Sequence, residues 1–576
     1  MKNQELIKIF YDIAEILEIK KIEWKPRAYR KAALSIQSLS EDIEDIYKEK
    51  GLAGLKEIPG IGDAISQKIA EYIETGKIHE YEKLKESIPP HLTELSKIGG
   101  LGPKRAQFLF EELKIKNIKD LERATKKDKI AKLPTFGIKS QANIKKGLEL
   151  YKKGQERRLL GYVLPIAEEL KAELDKLKEI KKIDIAGSVR RRKETIKDID
   201  ILVIGKNKEK IMDYFTSLPV VSRILAKGHT KSSVVLTNNM QADLRVLDLK
   251  NYGAALNYFT GSKEHNVRLR QIAIKKGYKF SEYGLFNRKT NRYIAGKTEQ
   301  EVYKKLGLKY VEPELRESMG ELDLEINKRL PRLITLKDIK GDLHSHTKAT
   351  DGVNTIEEMA LAAKKRGYEY LSISDHSKST RVANGLNEKD LSEHLKKIDK
   401  INNKINGITL LKSSEVDILN DGSLDYNDKI LKQMDIVLCS IHSGFKQDKT
   451  TMTKRLVKAI ENPYTNIIGH TSGRLINRRD PYEFDIDKVF EAAKDNNVTF
   501  EINSQPDRLD LKDIYIKKAV ENKVKLVINS DAHSAKDLWL IEFGVMQARR
   551  GWAEKKDILN TFPLRKLSKI FTNIKH

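Results

Sequence analysis

The pattern of apolar and polar positions divides the chain into three parts. Residues 1 to about 88 are predicted to be helical, including a helix over residues 64–74. Apolar runs typical of strands follow at residues 201–204 and 242–247, and beyond residue 339 short apolar runs alternate with helical stretches. The chain is therefore expected to form a helical region and then an α+β region. Because alternation of strands with helices favours parallel strands, the last part is expected to form a barrel.

Three aspartates stand on two of the predicted strands. Side chains on a strand alternate between faces, so Asp198 and Asp200 project to the same side, and Asp243 lies on the neighbouring run. Close carboxylates repel one another unless a cation lies between them, and hard divalent cations prefer oxygen ligands. The pattern therefore predicts a site for two divalent cations.

A glycine turn rich in arginine precedes the first two aspartates. Gly187 lets the backbone approach a bulky anion, and its neighbours offer hydrogen-bond donors and positive charge for phosphate oxygens. Phosphate and metal are therefore expected to bind at the same place. The neighbours in question are Ser188, Arg190, Arg191 and Arg192.

Histidines and carboxylates recur where the apolar runs of the last part end. His344 and His346 lie on one face of a strand end, a spacing suited to a single metal ion. Sites gather at the carboxyl ends of parallel strands in a barrel, so the later members of the series should meet this pair. Imidazole and carboxylate ligands without thiolate favour Mn²⁺ or Zn²⁺, and hydrolysis of a phosphoester is the expected reaction. The series continues through His376, Glu415, His442, His470, Asp531 and His533.

Glycine turns between helices recur in the first 150 residues. Glycines at a helix N-terminus expose backbone N–H groups that bind phosphate. Their repetition predicts a sequence-independent, salt-sensitive grip on a nucleic-acid backbone. The turns hold Gly60 and Gly62, then Gly100 and Gly102 with the adjacent Lys104 and Arg105, and, more loosely, residues 133–139.

The charge balance agrees with such a partner. Lys and Arg number 109 against 83 Asp and Glu, a net charge of +26 that suits a polyanion. A chain of 576 residues should divide into several domains. The single cysteine excludes a disulfide framework and indicates a reducing compartment. With no long apolar stretch and no signal-peptide pattern, we expect a cytoplasmic, nucleoid-associated protein without a membrane partner.

Over residues 1 to about 318 these motifs resemble the family X DNA polymerases, which include eukaryotic DNA polymerase beta. The family pattern is a Gly-Ser turn with two arginines, an Asp-x-Asp and a later Asp flanked by apolar residues and Arg. The resemblance implies that Asp198, Asp200 and Asp243 are catalytic and carry two Mg²⁺ or Mn²⁺ ions. It also implies that a nucleoside triphosphate is held by Gly187, Ser188 and Arg191.

The chain departs from the family pattern at two positions. Arg192 and Lys197 stand where glycine is usual. Two added positive side chains could tighten triphosphate binding or alter the metal preference, and the sequence does not separate these outcomes.

The same resemblance assigns roles outside the aspartate strands. Tyr258, Phe259 and Gly261 would line the sugar of the nucleotide and disfavour a 2′-hydroxyl, Asn266 would reach the incoming base, and Arg270 would contact the template. The glycine turns match helix-hairpin-helix motifs that bind DNA.

In the amino-terminal domain the resemblance points to a further activity. Lys68 matches the nucleophile that removes a 5′-deoxyribose phosphate through a Schiff base, and Lys25 and Tyr29 match contacts to the 5′-phosphate. Ala64 replaces a second lysine of the eukaryotic enzyme. Whether this lyase activity exists stays open at this point.

The last part resembles the polymerase and histidinol phosphatase (PHP) domain, a distorted seven-stranded barrel that holds two to three metal ions. Other members of this family have a histidine near the position of Asp351. The resemblance implies that Glu415 would bridge two ions and that Arg474 or Asn503 would contact phosphate. The ligand set implied by the resemblance is His344, His346, Asp351, His376, Glu415, His442, His470, Asp531 and His533.

The fold class expected is therefore a multidomain chain with a helical helix-hairpin-helix region, an α+β nucleotidyltransferase palm with a thumb, and a (β/α)7-type distorted PHP barrel. The expected boundaries are a lyase-like helical domain at 1–88, a second helix-hairpin-helix subdomain at 89–150, the palm at 151–250, the thumb at 251–318, a linker at 319–338 and the PHP domain at 339–576.

The function implied is a monomeric DNA-directed DNA polymerase that fills short gaps during DNA repair. It would take gapped or primer–template DNA and deoxynucleoside triphosphates, and its barrel would trim 3′ ends, cleave abasic sites or remove 3′-phosphates. Two alternatives stay open: a template-independent nucleotidyltransferase, which shares the Gly-Ser and Asp-x-Asp core, and a DNA-binding scaffold with a degenerate nuclease.

Overall fold

The amino-terminal region is helical, as expected. The computed structural model describes residues 2–19, 22, 25–37, 43–58, 60–86, 95, 98, 101, 103–134 and 136–571. Apolar side chains from successive helices, such as Phe10, Ile36 and Ile69, form one core. The helices are α1 (Lys2–Ile19), α2 (Lys25–Gln37), α3 (Ile43–Lys56), α4 (Asp63–Thr75), α5 (His79–Glu86), α6 (Pro103–Leu113), α7 (Ile118–Lys126) and α8 (Ile138–Glu156).

The palm is built on a five-stranded mixed sheet. Its strand order is β2-β4-β7-β6-β5, and β4 and β7 are parallel to each other, whereas the other neighbours are antiparallel. Ile199 and Ile201 on β4 are fully buried, which turns the aspartates between them to the opposite face. The elements are β1 (Arg158–Leu159), α9 (Leu160–Asp175), β2 (Ile180–Ile185), α10 (Gly187–Arg190), β3 (Thr195–Ile196), β4 (Asp198–Gly205), α11 (Lys208–Ser217), β5 (Val221–Lys227), β6 (Lys231–Leu236) and β7 (Gln241–Leu247).

The thumb packs two helices against a small antiparallel sheet. The expected linker, 319–338, includes a short helix and packs against the thumb: Leu322 is buried in the thumb core, and buried Glu321 lies 2.6 Å from His265 Nδ1. The elements are α12 (Tyr252–Thr260), α13 (Lys263–Lys275), β8 (Tyr278–Ser281), β9 (Gly284–Asn287), β10 (Tyr293–Ala295), α14 (Glu299–Lys305) and α15 (Leu324–Asn327).

Seven parallel strands form the last domain. They pair in chain order, and a bridge between Ser345 and Ala532 brings the first strand end to the last, so the sheet is nearly closed. The elements are β11 (Gly341–Asp342), α16 (Ile356–Lys365), β12 (Tyr370–Ile373), α17 (Glu388–Asn402), β13 (Thr409–Asp417), α18 (Asp428–Leu431), β14 (Ile436–Ser440), α19 (Lys449–Ile460), β15 (Ile467–Ile468), α20 (Ile486–Asp495), β16 (Thr499–Asn503), α21 (Asp513–Glu521), β17 (Leu526–Asn529), α22 (Ile541–Arg550) and α23 (Leu564–Leu567).

The barrel shares cores with the rest of the chain. Leu509, Leu540 and Phe543 of the barrel are buried in the palm core, and Trp552 is buried in the thumb core. The expected fold class of helical region, α+β palm with thumb, and distorted barrel is thus confirmed. Within the described residues, no helix is both long and apolar enough to cross a membrane.

Two candidate metal centres

The three palm aspartates lie on adjacent parallel strands. Asp200 on β4 is the register partner of Asp243 on β7, and Asp198 precedes it on the same face. Gly187 has a φ of +62°, and a Cβ there would lie 2.3 Å from Asp200 Oδ2. The glycine therefore allows the turn to approach the carboxylate of Asp200, a contact that a side chain would block.

The carboxylates differ in their electrostatic surroundings. Burial and the charges of Asp198 and Asp243 raise the pKa of Asp200 to about 7. Although burial acts in the opposite direction, hydrogen bonds from Lys231, at 2.8 Å, and Gln241, at 2.9 Å, hold the pKa of Asp243 below its ordinary value. Among the described residues, sets of three ligand atoms within 4.8 Å of one another occur in the barrel and not among these aspartates. Asp243 is held by Lys231 instead.

The buried carboxylate of Asp200, close to two other carboxylates, predicts a pH-dependent change in stability. Its folded pKa of about 7 exceeds the ordinary 3.8, so ionisation destabilises the metal-free fold increasingly as pH rises from about 4 to about 7. Asp200→Asn should therefore raise the midpoint of thermal unfolding in chelator by roughly 2–5 °C at pH 8, and by less at pH 5. Asp248→Asn, at an exposed position of the palm, is the matched control; an equal gain at both pH values for Asp200→Asn would contradict the prediction.

The arginines of the turn are held by acidic partners from the thumb. Arg190 donates to Glu299 at 2.6 and 2.9 Å. Arg191 donates to Glu317 at 3.0 Å, and this glutamate also accepts from Arg550 of the barrel at 3.0 Å. Ser188 lies half-buried on α10 beside them. The turn therefore joins the aspartate strands to both the thumb and the barrel.

Arg192 and Lys197, which depart from the family pattern, differ in their surroundings: Arg192 is near acidic residues other than the three aspartates, and Lys197 is exposed to solvent. Arg192 has a φ of +55°, in the left-handed region that favours glycine, which explains why glycine is usual there. Burial lowers the pKa of Arg192, and its charged neighbours are Glu314 and Glu168 rather than the aspartates. Lys197 is exposed at the start of the strand.

The expected nucleotide contacts of the thumb lie beside β7. The guanidinium of Arg245 lies 4.3 Å from the ring centre of Phe259, whose neighbour Tyr258 packs edge-on against it. The side chain of Asn266 donates to the backbone carbonyl of Tyr258 at 2.6 Å, and its buried side-chain Oδ1 has no hydrogen-bond partner in the described part of the chain. A Cβ at Gly261 would lie 3.0 Å from Arg191 Nη1, and Arg270 donates to the backbone carbonyl of Asn266 at 3.3 Å.

Some of the amino-terminal residues expected to bind DNA lie among the residues that the structure describes. Gly60 has a φ of +84°, and Gly62 caps the start of α4. Lys25 is exposed and Tyr29 is buried. Arg105 lies 5.6 Å from the ring centre of Phe136, and Lys104 lies in the first turn of α6, whereas Gly100 and Gly102 fall outside the described residues.

Lys68, the candidate lyase nucleophile, forms an ion pair with Glu80 at 2.8 Å. Although burial lowers the pKa of Lys68, the hydrogen bond with Glu80 and the proximity of Tyr29 raise it above its ordinary value. A Schiff-base lysine must be unprotonated, so this ion pair opposes the expected lyase chemistry.

Removing that ion pair should expose any lyase activity. We expect Glu80→Gln to lower the pKa of Lys68 and to increase, several-fold, the borohydride-trapped adduct between the protein and a 5′-deoxyribose phosphate on DNA. Lys68→Arg should abolish trapping, and Glu82→Gln, on the same helix, should leave it unchanged. Trapping that survives Lys68→Arg would rule out Lys68 as the nucleophile.

The barrel gathers all nine expected ligands at the carboxyl ends of its strands. Three sets bring their ligand atoms within 4.8 Å of one another. The backbone at two of the nine, His470 and Asp531, has φ of +23° and +52°, strain of a kind found at functional sites. The sets are His346, Asp351, His376 and His533; His344, His346 and Asp531; and His376, Glu415 and His442.

Glu415 lies at the centre of the cluster. Its carboxylate oxygens lie 2.8 Å from His470 Nε2, 3.0 Å from His376 Nδ1, 3.2 Å from His442 Nε2 and 3.5 Å from His344 Nε2. The side chain of Glu415 is fully buried. A carboxylate with one oxygen toward each of two histidine groups has the geometry of a bridging ligand.

Two carboxylates that the sequence reasoning missed orient these histidines. Glu501 Oε1 lies 2.7 Å from His344 Nδ1, and Asp417 Oδ1 lies 2.5 Å from His442 Nδ1. Carboxylates commonly hold a metal-binding imidazole by its second nitrogen. Glu501 has a weak signal in the sequence, a charged residue between apolar neighbours on β16, whereas Asp417 ends β13, a strand that already contains other polar residues.

The barrel residues fit metal ions. His346 Nδ1 is buried yet has no hydrogen-bond partner among the residues described, and burial and the neighbouring His533 and His376 lower the pKa of His346, which favours the neutral form that binds metal. Asn503 donates to Asp531 at 3.0 Å. Arg474, one of two expected phosphate contacts, instead forms an ion pair with Glu194 of the palm at 2.9 Å, because its turn packs against that domain.

A mixed sheet with three acidic residues on adjacent strands, joined to a barrel with a histidine-rich cluster, defines an enzyme that combines a nucleotidyltransferase palm with a metal-dependent phosphoesterase. Matches to family models agree: a helix-hairpin-helix domain at residues 1–78, a SAM-like helix-hairpin-helix tandem at 52–114 and 92–149, a DNA polymerase beta thumb at 255–317 and a PHP domain at 342–505.

Curated relatives extend the match to the whole chain. The DNA polymerase/3′-5′ exonuclease PolX of Bacillus subtilis is 38% identical over 568 residues, which cover 98% of this chain and 98% of that protein. A probable phosphatase of Thermoanaerobacter sp. is 33% identical over 235 residues, 38% of this chain and 89% of that protein. The chain belongs to the family X DNA polymerases that carry a carboxyl-terminal PHP domain.

Proposed function

We propose that this protein is a DNA-directed DNA polymerase that fills short gaps, with a 3′-5′ exonuclease in its barrel. The observation that carries the first half is the register pairing of Asp200 with Asp243 beside the Gly187 turn. The identity with the Bacillus subtilis enzyme over the full length supports both halves, and the helix-hairpin-helix matches support DNA as the partner.

In the palm, we propose that Asp198, Asp200 and Asp243 hold Mg²⁺ or Mn²⁺, which when bound neutralise the carboxylates and the triphosphate. Asp243 accepts the proton of the primer 3′-hydroxyl or orients it, since hydrogen bonds keep this carboxylate ionised. Arg191 and the Gly187–Ser188 turn hold the triphosphate. Phe259, whose ring packs against the guanidinium of Arg245, forms the side of the site next to the sugar. In-line attack on the α-phosphate then releases pyrophosphate.

In the barrel, we propose that the nine ligands hold two to three Mn²⁺ or Zn²⁺ ions, which when bound activate water and polarise the phosphoester. Glu415 would be a ligand to two of these ions, and Glu501 and Asp417 keep His344 and His442 oriented. The protein works as a monomer on one DNA substrate with both sites.

Extension of gapped DNA tests the proposal. With Mg²⁺ or Mn²⁺, the protein should add the deoxynucleotide that is complementary to the template base in a one-nucleotide gap. Without deoxynucleotides it should shorten a 3′ end. Equal incorporation of all four nucleotides, or equal incorporation without a template strand, would favour a template-independent transferase instead.

A further inference from the structure

A cavity of about 600 Å³ opens directly from the barrel metal cluster. Three of the expected ligands, Asp351, Asp531 and His533, line it, together with residues 505–508 after β16. Gly161 of the palm also lines the cavity, and it packs so closely on Pro506 that a Cβ would lie 2.4 Å from it. A volume of this size accommodates a small organic ligand rather than phosphate alone.

One wall of the cavity carries a cation that the proposed mechanism does not use. Arg508 lines the cavity half-buried, and its guanidinium forms no hydrogen bond or ion pair with any described residue. Its backbone is fixed, because its N–H donates to Gln505 and the Gln505 side chain donates to the Asp531 carbonyl at 2.7 Å. Arg508 is thus held beside a metal ligand with its donors available for phosphate oxygens.

Part of the cavity lining is aromatic. Trp539 is 39% exposed although it lines the cavity, and its indole packs edge-on against Phe543 at 5.3 Å. An exposed indole in the cavity lining is a surface on which a nucleobase stacks, independently of its identity. Asp507 and Asp537 also line the cavity and offer acceptors for base amino or sugar hydroxyl groups.

We propose that this cavity binds the last nucleotide of a DNA 3′ end, with its base on Trp539 and its 5′-phosphate between Arg508 and the metal ligands. The inference rests on the proposed phosphodiesterase function of the barrel and deepens it. Water adds to the phosphorus, the bond from phosphorus to the 3′-oxygen of the penultimate nucleotide breaks, that oxygen takes up a proton, and a nucleoside monophosphate leaves the cavity. The barrel is thereby a nuclease for nucleotide ends, whereas a phosphatase of small monoesters would need no base platform.

The test compares single-stranded oligonucleotides whose 3′-terminal nucleotide carries or lacks its base, together with bis(p-nitrophenyl) phosphate as a small diester. The wild-type protein with Mn²⁺ should remove the base-bearing nucleotide with a kcat/KM about tenfold higher than the abasic one. Trp539→Ala should abolish this preference, mainly by raising KM for the base-bearing end, and Trp539→Phe should keep most of it. Hydrolysis of the small diester should not change in either variant.

Arg508→Gln should lower kcat about a hundredfold on all three substrates at unchanged bound manganese, since it contacts the shared phosphate. Arg565→Gln, at an exposed site on α23, is the matched control, and unchanged gap filling shows that each variant is folded. A base preference that survives Trp539→Ala, or a wild-type protein with no such preference, overturns the nucleotide subsite. A wild-type protein that hydrolyses none of the substrates would instead refute the phosphodiesterase function itself.

Discussion

Replacing Asp198 by asparagine is expected to reduce extension of gapped DNA by at least about a thousandfold while leaving shortening of 3′ ends unchanged. Asparagine preserves the shape of the side chain but removes one of three charges that act on one another across β4 and β7. The remaining carboxylates then bind divalent cations more weakly, so transition-state charge on the phosphate is poorly neutralised.

The measurement is single-turnover incorporation into a one-nucleotide gap, with exonuclease activity followed on the same preparation. Asp248→Asn is the control, since Asp248 is an exposed palm carboxylate that pairs with Lys208 at 3.2 Å away from the aspartate cluster. If Asp198→Asn extended gapped DNA at the rate of Asp248→Asn, the palm aspartates would have no role in catalysis.

Replacing His344 by alanine is expected to have the opposite effect, a loss of more than about a hundredfold in 3′ digestion with gap filling retained. His344 lies within 3.5 Å of both Glu415 and Asp531 through one nitrogen and 2.7 Å from Glu501 through the other. The substitution therefore removes an expected ligand and takes the imidazole partner from the buried carboxylate of Glu501, which adds a stability cost.

Gap filling is measured on the same preparation. Retained gap filling shows that the variant is folded, so that the loss of digestion reflects loss of the ligand rather than loss of stability. His533→Ala, at a less buried ligand, should give a similar loss of digestion with a smaller effect on stability, and His79→Ala, at an exposed position, should change neither activity. Loss of both activities in Asp198→Asn and in His344→Ala alike would refute two independent sites.

The sequence predicted which histidines and carboxylates come together in the barrel, because their positions follow from one rule. Parallel strands end at the same edge, so residues just beyond each strand, such as His376 and His470, meet without any knowledge of the loops. Glu501 and Asp417 could not be found in this way, since they project from the strands themselves and their partners are 157 and 25 residues distant along the chain.

In the palm, the local sequence pattern predicted the faces of the strand but not the ion pairs. Alternation on β4 placed Asp198 and Asp200 on one face, but nothing in the spacing pairs Arg190 with Glu299 or Arg191 with Glu317, 109 and 126 residues away. The environment of Arg192 likewise depends on the fold: its φ is positive, and its acidic neighbours are Glu314 and Glu168 rather than the aspartates. Charges at a domain junction depend on tertiary packing, which a single sequence does not specify.

Anomalous diffraction at the manganese edge, from crystals grown with gapped DNA and a non-hydrolysable deoxynucleoside triphosphate, tests the central claim most directly. Two peaks should lie between Asp198, Asp200 and Asp243 next to the triphosphate, with Lys231 moved off Asp243, and further peaks should lie around Glu415. Peaks confined to the barrel, with the palm aspartates unoccupied and the nucleotide elsewhere, would contradict a copying site in the palm.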